Sequence, residues 1–514
     1  MSIFTKLTLL VLMIGIVFKL TLTSNGNFLF NMDNARDMVD VREMVVLGKP
    51  RLIGPTSAIE GLFTGPAWYY LLAIPFFLSG GDPYAPIILQ ITLWVIGGFF
   101  LLKIVSLWNK LLILPIGFLW IASYYVNLAT SYAFNPNPVT LLTPLFIFFL
   151  YKFFETKKFI YSAVVFFLGG LFFNFEMNFG FFIPPIIFFS VLFLDRKLLK
   201  VKTIWLGSTF FILSLLPQLI FEIRHNFFMS SSVINFLKNS QTGPFDIFAR
   251  LQSLVGSFFG VFLATLMNHR TLSLILILLF IPIITKIIKQ KSFDKIALIS
   301  FLYIFIPFLG YLFLPVTINT WHLGGPATAS IILIGFLLKK LWEYNLIGKA
   351  ITLVLYIIIF WYSVFSIGKF FFYDRFIVNA DPSLYKSQIS VIDYIYKQAN
   401  GENFKVYVYM PSIIDYPYQY LFWWYGNKKY GYIPYEYAYA PNKPEYVSNK
   451  QSFSLSKDKS LGSKDNYKGL VFLIKEPNRG ANFKSGWEAD YRFMQLISSE
   501  KLGNIDVEVR REIP

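Results

Sequence analysis

Long apolar runs, separated by short polar turns, fill this chain from Leu7 to Ile367. A run of about 17–25 apolar residues is enough to cross a bilayer's hydrocarbon core as a helix. Eleven segments read as spanning: 5–24, 84–102, 111–126, 137–151, 159–174, 177–194, 203–221, 271–285, 296–315, 325–338 and 350–368. Two shorter stretches, 66–79 and 251–267, read as juxtamembrane or re-entrant helices. Past about residue 385 the pattern changes. Ile389, Ile392, Tyr396 and Ala399 fall on one face of a helix, while 404–409, 469–474 and 505–510 read as strands. An aromatic run, Tyr416–Tyr425, separates the first two strands, and 441–468 reads as a mobile polar loop. The expected fold is an all-α polytopic membrane bundle of about 11–13 transmembrane helices with a small C-terminal α/β soluble domain. The bundle covers 1–370 and includes an extracytoplasmic loop 25–83; the soluble domain covers 385–514.

Composition agrees with that pattern, with 55% hydrophobic and 15% charged residues, against about 25% charged in soluble domains. A net charge of +17 suggests nucleic acid until its placement is considered. Sixteen Lys and Arg lie in five short loops, 103–110, 152–158, 196–202, 286–295 and 339–349. The alternate short loops, 127–136, 175–176 and 316–324, hold none. Basic loops stay cytoplasmic, so the N-terminus is expected inside, and the C-terminal domain outside, the inner (plasma) membrane. This pattern calls for a lipid bilayer and no nucleic acid. The first helix lacks a signal-peptide cleavage site and reads as uncleaved. There are no cysteines and three histidines, which excludes thiol chemistry and disfavours a multi-histidine metal site.

Several unusual polar segments then share the outer face. In the first, Met38, Val41, Met44, Val45 and Leu47 recur at helical spacing, so the segment reads as an amphipathic helix on the membrane surface. Asp33 stands at its start, where a carboxylate suits the helix dipole or caps the helix. Arg36 and Asp37 follow. The path from Pro50 to Thr56 and from Thr64 to Tyr70, which includes Arg51, is ordered by Gly and Pro. Asn135 lies in the polar turn Ser131–Pro138. Glu176 stands between Asn174 and Asn178 with almost no loop, an expensive place for a carboxylate unless it is paired or faces a wet cavity. Arg224 and His225 end another outer helix, and His322 lies in the loop after 315. The candidates for substrate contact are therefore Arg36, Asp37, Arg51, Asn135, Glu176, Arg224, His225 and His322.

Asp33-Asn34-Ala35-Arg36-Asp37, followed by Thr64-Gly65-Pro66-Ala67-Trp68-Tyr69, within a many-helix frame of about 370 residues, resembles the GT-C integral-membrane glycosyltransferases. The likeness is to the branch of the protein O-mannosyltransferases and the lipid A aminoarabinose transferase. Asn34 and Thr64 depart from that pattern, in which a Gln or Glu and a His are usual. The resemblance implies that Asp33 is the catalytic carboxylate, acting as general base on an acceptor hydroxyl in an inverting displacement. The implied donor is a polyprenyl-phosphate sugar and the acceptor a glycan, lipid or protein. Arg36, Arg51 or Arg224 would neutralise the leaving phosphate. Some members use a divalent cation, although no ligand cluster here demands one. The rival readings are a transporter or flippase of lipid-linked sugars and a non-catalytic membrane scaffold. A transporter predicts charges deep in the helices and repeated halves, whereas polar residues here collect at one face.

Overall fold

The computed structural model describes residues 2–57, 59–239, 246–266, 270–290, 294–314, 316–369, 381–411, 414–440, 466–478 and 484–513. Most of the polar stretch 441–468 lies outside them. All eleven segments read as spanning are helical. Eight helices among the described residues are long and apolar enough to cross a membrane, or ten if two bent pairs are single spans. The bent pairs are Lys110–Ala122 with Tyr124–Ser131, and Lys202–Ser214 with Leu216–Arg224. The chain is a multi-pass membrane protein. It divides into two compact units: Met1–Thr21, Arg51–Trp68 and Ile88–Phe370 form the first, and Leu22–Pro50, Tyr69–Ile87 and Phe371–Pro514 the second.

In the first unit, direct contacts gather the basic loops at one face. Trp108 donates its indole N–H to Asp294 at 2.9 Å, and Lys339 pairs with the same carboxylate at 3.3 Å. Lys295 pairs with Glu155 at 2.7 Å, and Lys157 with Asp195 at 3.1 Å. Four of the five basic loops supply a residue to these contacts, and Asp195 stands immediately before the fifth. The loops without basic residues are joined at the other end. Asn135 donates to the Phe175 carbonyl at 2.7 Å, Tyr125 donates to the Thr320 carbonyl at 2.7 Å, and the Gly65 N–H reaches the Asn174 carbonyl at 3.2 Å. Lys19, fully buried, donates to Asn127 and Thr130 near this same face. The charge asymmetry in the sequence is thus a real asymmetry of the bundle.

The two ambiguous stretches follow from these faces. Ala67–Ser79 has 13 residues, about 20 Å of helix, too short for a hydrocarbon core of about 30 Å. Residues 251–267 fall on the 19-residue helix Ile247–Thr265, which is long enough to cross. Its N-terminal Arg250 grips the carbonyls of Tyr311, Leu314 and Val316, and the helix packs on Tyr124–Ser131 and Thr320–Leu323, all at the basic-free end. The chain must pass from that end, at Arg224, to the basic end at Asp294. An odd number of crossings does this, and the 21-residue helix Arg270–Gln290 supplies one.

In the second unit, five strands form one mixed sheet: β1 Asn403–Tyr409, β2 Glu436–Ala438, β3 Tyr467–Lys475, β4 Gln495–Leu502 and β5 Ile505–Arg511. Their order is β2-β1-β3-β5-β4, with β1 parallel to β2 and β3, and β5 antiparallel to β3 and β4. Both faces of β1 are covered: Phe404 meets Tyr396 of the helix Tyr385–Ala399, while Tyr407 and Tyr409 pack with Trp487 and Tyr491. Strands β2 and β4 are additions to the sequence reading. Strand β2 is three residues long, and β4 is an exposed edge without the apolar alternation that marks a half-buried strand.

Candidate active site

Asp33 lies on the helix Met32–Val46, but it is not the cap. Asn31 is, its side-chain oxygen accepting from the N–H groups of Asp33 (3.1 Å) and Asn34 (3.2 Å), while the Asn34 side chain accepts from the Asn31 N–H. This reciprocal box satisfies the first turn's donors, so the Asp33 carboxylate is available for other work. One third of its side chain is exposed (34%). Arg36 binds it at 3.1 Å and binds Asp37 through two nitrogens at 3.0 and 2.9 Å. Burial works against the Arg36 charge, and the pull of Asp37, the Tyr69 hydroxyl and Asp33 more than offsets it. Tyr69, its phenol raised well above the usual range by burial and the charges of Asp37 and Asp40, stays protonated and donates to Asp40 at 2.7 Å.

Asp37 and Arg42 of this helix are fully buried. The cause is the aromatic run, which here serves packing. Trp423 lies 4.7 Å from the Arg42 guanidinium, a cation–π contact worth about 2 kcal/mol when desolvated. Burial pulls Arg42 down to about 10, still charged at neutral pH. Tyr420 and Trp424 donate to the carbonyls of Gly81 (2.6 Å) and Gly80 (2.9 Å). Ahead of the cap, Phe30 N–H bonds the Ser383 carbonyl at 2.8 Å, Gln388 donates to the Phe30 carbonyl at 3.0 Å, and Phe28 stacks on Tyr385. The Asp33 helix is therefore held at both its ends by the C-terminal part of the chain.

A second polar cluster belongs to the first unit. Glu176, buried, caps the short turn Met177–Gly180, accepting from the Asn178 backbone and side-chain N–H groups on one oxygen, Oε1, both at 3.1 Å. Burial pushes its carboxyl up to about 7, against the two bonds from Asn178. The Asn178 amide also lies 3.2 Å from Nε2 of His322, whose Nδ1 accepts the Asn319 N–H at 3.3 Å. With Nδ1 accepting, a neutral ring carries its proton on Nε2. Two donors then face each other unless the amide turns to present its oxygen, an orientation fixed only by hydrogen-bond logic. The turned oxygen faces Glu176 and requires the carboxyl proton. The amide orientation and the Glu176 proton are therefore coupled.

The remaining candidates are distributed unevenly. Asn135 holds the carbonyl of Phe175 and so fixes the backbone beside Glu176. The loop carrying Arg51 is ordered by bonds from Gly54 N–H to the Thr64 carbonyl and from the Thr64 hydroxyl to the Pro55 carbonyl. A Cβ on Gly65 would fall 1.8 Å from Asn174 Oδ1. Arg224 and His225 are exposed, His225 stacking on Phe221 at 4.1 Å, and no hydrogen bond among the described residues joins them to Glu176 or His322. Tyr311 enters the second cluster without having been named from sequence, whereas Asn178 and Tyr69 stand there only as a neighbour of Glu176 and the end of the Thr64–Tyr69 motif, and Asp40 is no site candidate. The acidic groups do not make a cation site: Arg36 occupies the space between Asp33 and Asp37. Among the described residues no three His, Asp or Glu side chains converge on a metal position.

No protein-family model matches the sequence, and no curated protein does. Solved structures do. ArnT from Cupriavidus metallidurans bound to undecaprenyl phosphate superposes with a TM-score of 0.58 at 10% identity, over 98% of this chain and 97% of its own. The apo form of the same protein gives 0.59 at 10%, over 99% and 98%. An oligosaccharyltransferase from Archaeoglobus fulgidus, in complex with zinc and sulfate, gives 0.52 at 12%, over 96% and 72%. Both proteins are GT-C membrane glycosyltransferases, ArnT being a lipid A aminoarabinose transferase. At these identities the likeness is one of architecture, and at that level the resemblance read from the sequence holds: this chain has the GT-C membrane glycosyltransferase fold, soluble domain included.

Proposed function

We propose that this protein transfers a sugar from a polyprenyl-phosphate donor to an acceptor hydroxyl at the extracytoplasmic face of the inner (plasma) membrane, with Asp33 as general base. The observation that carries the reading is the Asp33–Arg36–Asp37 clamp. It holds a carboxylate that is partly exposed and free of capping duty on a helix about half of whose residues are buried. In support, ArnT, which shares this fold, was crystallised with undecaprenyl phosphate.

In the proposed step Asp33 takes the proton from the acceptor O–H as that oxygen attacks the anomeric carbon. The bond from that carbon to the phosphate oxygen breaks, polyprenyl phosphate departs with the electron pair, and the configuration inverts. Arg36 is committed to two carboxylates, so its role is to orient Asp33. Arg51 and exposed Arg224 are left as the candidates for the phosphate. The basic face is cytoplasmic by the positive-inside rule, and Asp33 follows ten residues after the helix Ile3–Thr23, whose Lys19 bonds near the opposite face.

Purified protein given radiolabelled polyprenyl-phosphate sugars in membranes is expected to label an acceptor, which identifies it as glycan, lipid or protein. Asp33→Asn should cut transfer about 10²–10⁴-fold with an unchanged thermal melt. Near-normal transfer by that variant ends the assignment. Because the chain has no cysteine, Lys49→Cys and Lys110→Cys each give a single thiol. An impermeant maleimide should label the first in intact cells and not the second.

A further inference from the structure

Beside Glu176 the structure holds a hydroxyl that the proposed chemistry does not use. Tyr311 is fully buried, and its Oη has neither solvent contact nor a hydrogen-bond partner among the described residues. Its ring lies nearly parallel to His322 at 6.4 Å. It is within electrostatic range of the Glu176 carboxylate and of Tyr125. Its backbone is fixed, since Arg250 donates to its carbonyl at 3.1 and 2.9 Å. Glu176 takes both of its bonds on Oε1, so Oε2 is also uncommitted. A buried hydroxyl without a partner is costly and rare in a native fold. Here a buried hydroxyl without a partner and a carboxylate oxygen that is not fully enclosed share one polar cluster, flanked by Asn178, His322 and the aromatic pair Trp321 and Phe134.

We infer that Glu176 and Tyr311 form a binding subsite for a neutral, hydroxyl-bearing sugar ring. One ring hydroxyl donates to Glu176 Oε2, and another oxygen accepts from Tyr311 Oη. Glu176 carries no positive charge in either protonation state, so it offers a uronic acid no counter-charge. Its neighbours, Asn178, His322, Tyr125 and Tyr311, bring no cation from Lys or Arg, so an anionic ring finds no counter-charge among them. The subsite rests on reading the chain as a glycosyltransferase, yet it does not depend on Asp33.

Saturation-transfer NMR on the purified full chain tests it, using methyl hexosides, their deoxy analogues and methyl glucuronide as probes. Wild type and Asp33→Asn should both bind a methyl hexoside at millimolar concentration and ignore the glucuronide. Glu176→Gln and Tyr311→Phe should each weaken binding about tenfold or more, the loss expected for one buried hydrogen bond. Tyr311→Phe removes a single unpartnered oxygen and should melt no lower than wild type, so weakened binding in it is not misfolding. Unchanged affinity in Tyr311→Phe means that the hydroxyl does not touch the sugar and overturns the inference. So does preference for the glucuronide, or no binding by any hexoside. Failure of Asp33→Asn to lose transfer would remove the proposed base and leave this subsite standing.

Discussion

Glu176 offers the sharpest physical test because its burial has a sign. Its carboxyl lies at about 7 in the folded protein against 4.5 when unfolded. Between those values the folded state binds more protons than the unfolded one. Stability is therefore full below about pH 4.5 and falls as pH rises through 7. A tenfold change in acidity is worth about 1.4 kcal/mol, so the ionised carboxylate costs the fold about 3 kcal/mol by pH 8. Glu176→Gln keeps the shape and an oxygen for Asn178, and it cannot ionise. Variant and wild type should melt together near pH 5. By pH 8 the variant should melt higher, on the order of 5 °C for a domain of this size. Thermal unfolding in detergent, followed by aggregation-sensitive chromatography across pH 5–8, reads the difference. A variant that is less stable than wild type at every pH, or whose deficit widens toward pH 8, shows that the carboxylate has a stabilising partner and refutes the reasoning. The same variant should lose sugar binding, separating a residue kept for function from one kept for packing.

Other perturbations act on the clamp and its supports. Arg36→Lys keeps the charge but cannot bind Asp37 through two nitrogens while reaching Asp33; kcat should fall about tenfold, as expected for a misoriented base, with KM little changed. Trp423→Ala strips the cover from buried Arg42 and should cost about 3–5 kcal/mol, seen as a lower melting temperature and early proteolysis of the C-terminal region. Gly65→Ala places a carbon 1.8 Å from Asn174 Oδ1, which should cost about 1–3 kcal/mol and weaken sugar binding by displacing the adjoining turn at Glu176.

What was legible in the sequence was whatever is periodic or local. Spanning helices announce themselves by apolar length, and the gathering of basic loops at one end by where the lysines fall, so the asymmetric bundle could be read directly. The capping box is local too: Asn31 and Asn34 stand three residues apart, a spacing that is itself enough to relieve Asp33 of the capping role. The clamp follows the same rule, since Arg36 reaches Asp33 at i,i−3. What could not be read joins residues far apart in the chain. Nothing local to Arg42 announces that Trp423, in the C-terminal part of the chain, lies over it. Tyr311 looks like one more apolar-helix aromatic, because only the fold brings it beside His322 and within reach of the charge on Glu176. Strand β4 escaped because an exposed edge strand carries no apolar alternation to detect.

The two clusters differ in how the fold bears their cost, and that difference argues for division of labour. Asp33 is cheap: it is partly exposed, paired with Arg36, and its helix start is satisfied by Asn31 and Asn34. Such a placement costs the fold little, which suits a residue proposed as a general base. Glu176 is expensive: it is buried, bonded only to Asn178 among the described residues, and close to neutrality in its protonation. Packing alone does not favour such a group, since an apolar side chain of similar size would avoid the desolvation. A carboxyl whose proton is nearly balanced, and which shares an amide with a histidine, is suited to exchanging hydrogen bonds with a ligand whose hydroxyls both donate and accept. The roles proposed, base for Asp33 and sugar contact for Glu176, each match that residue's own energetic situation.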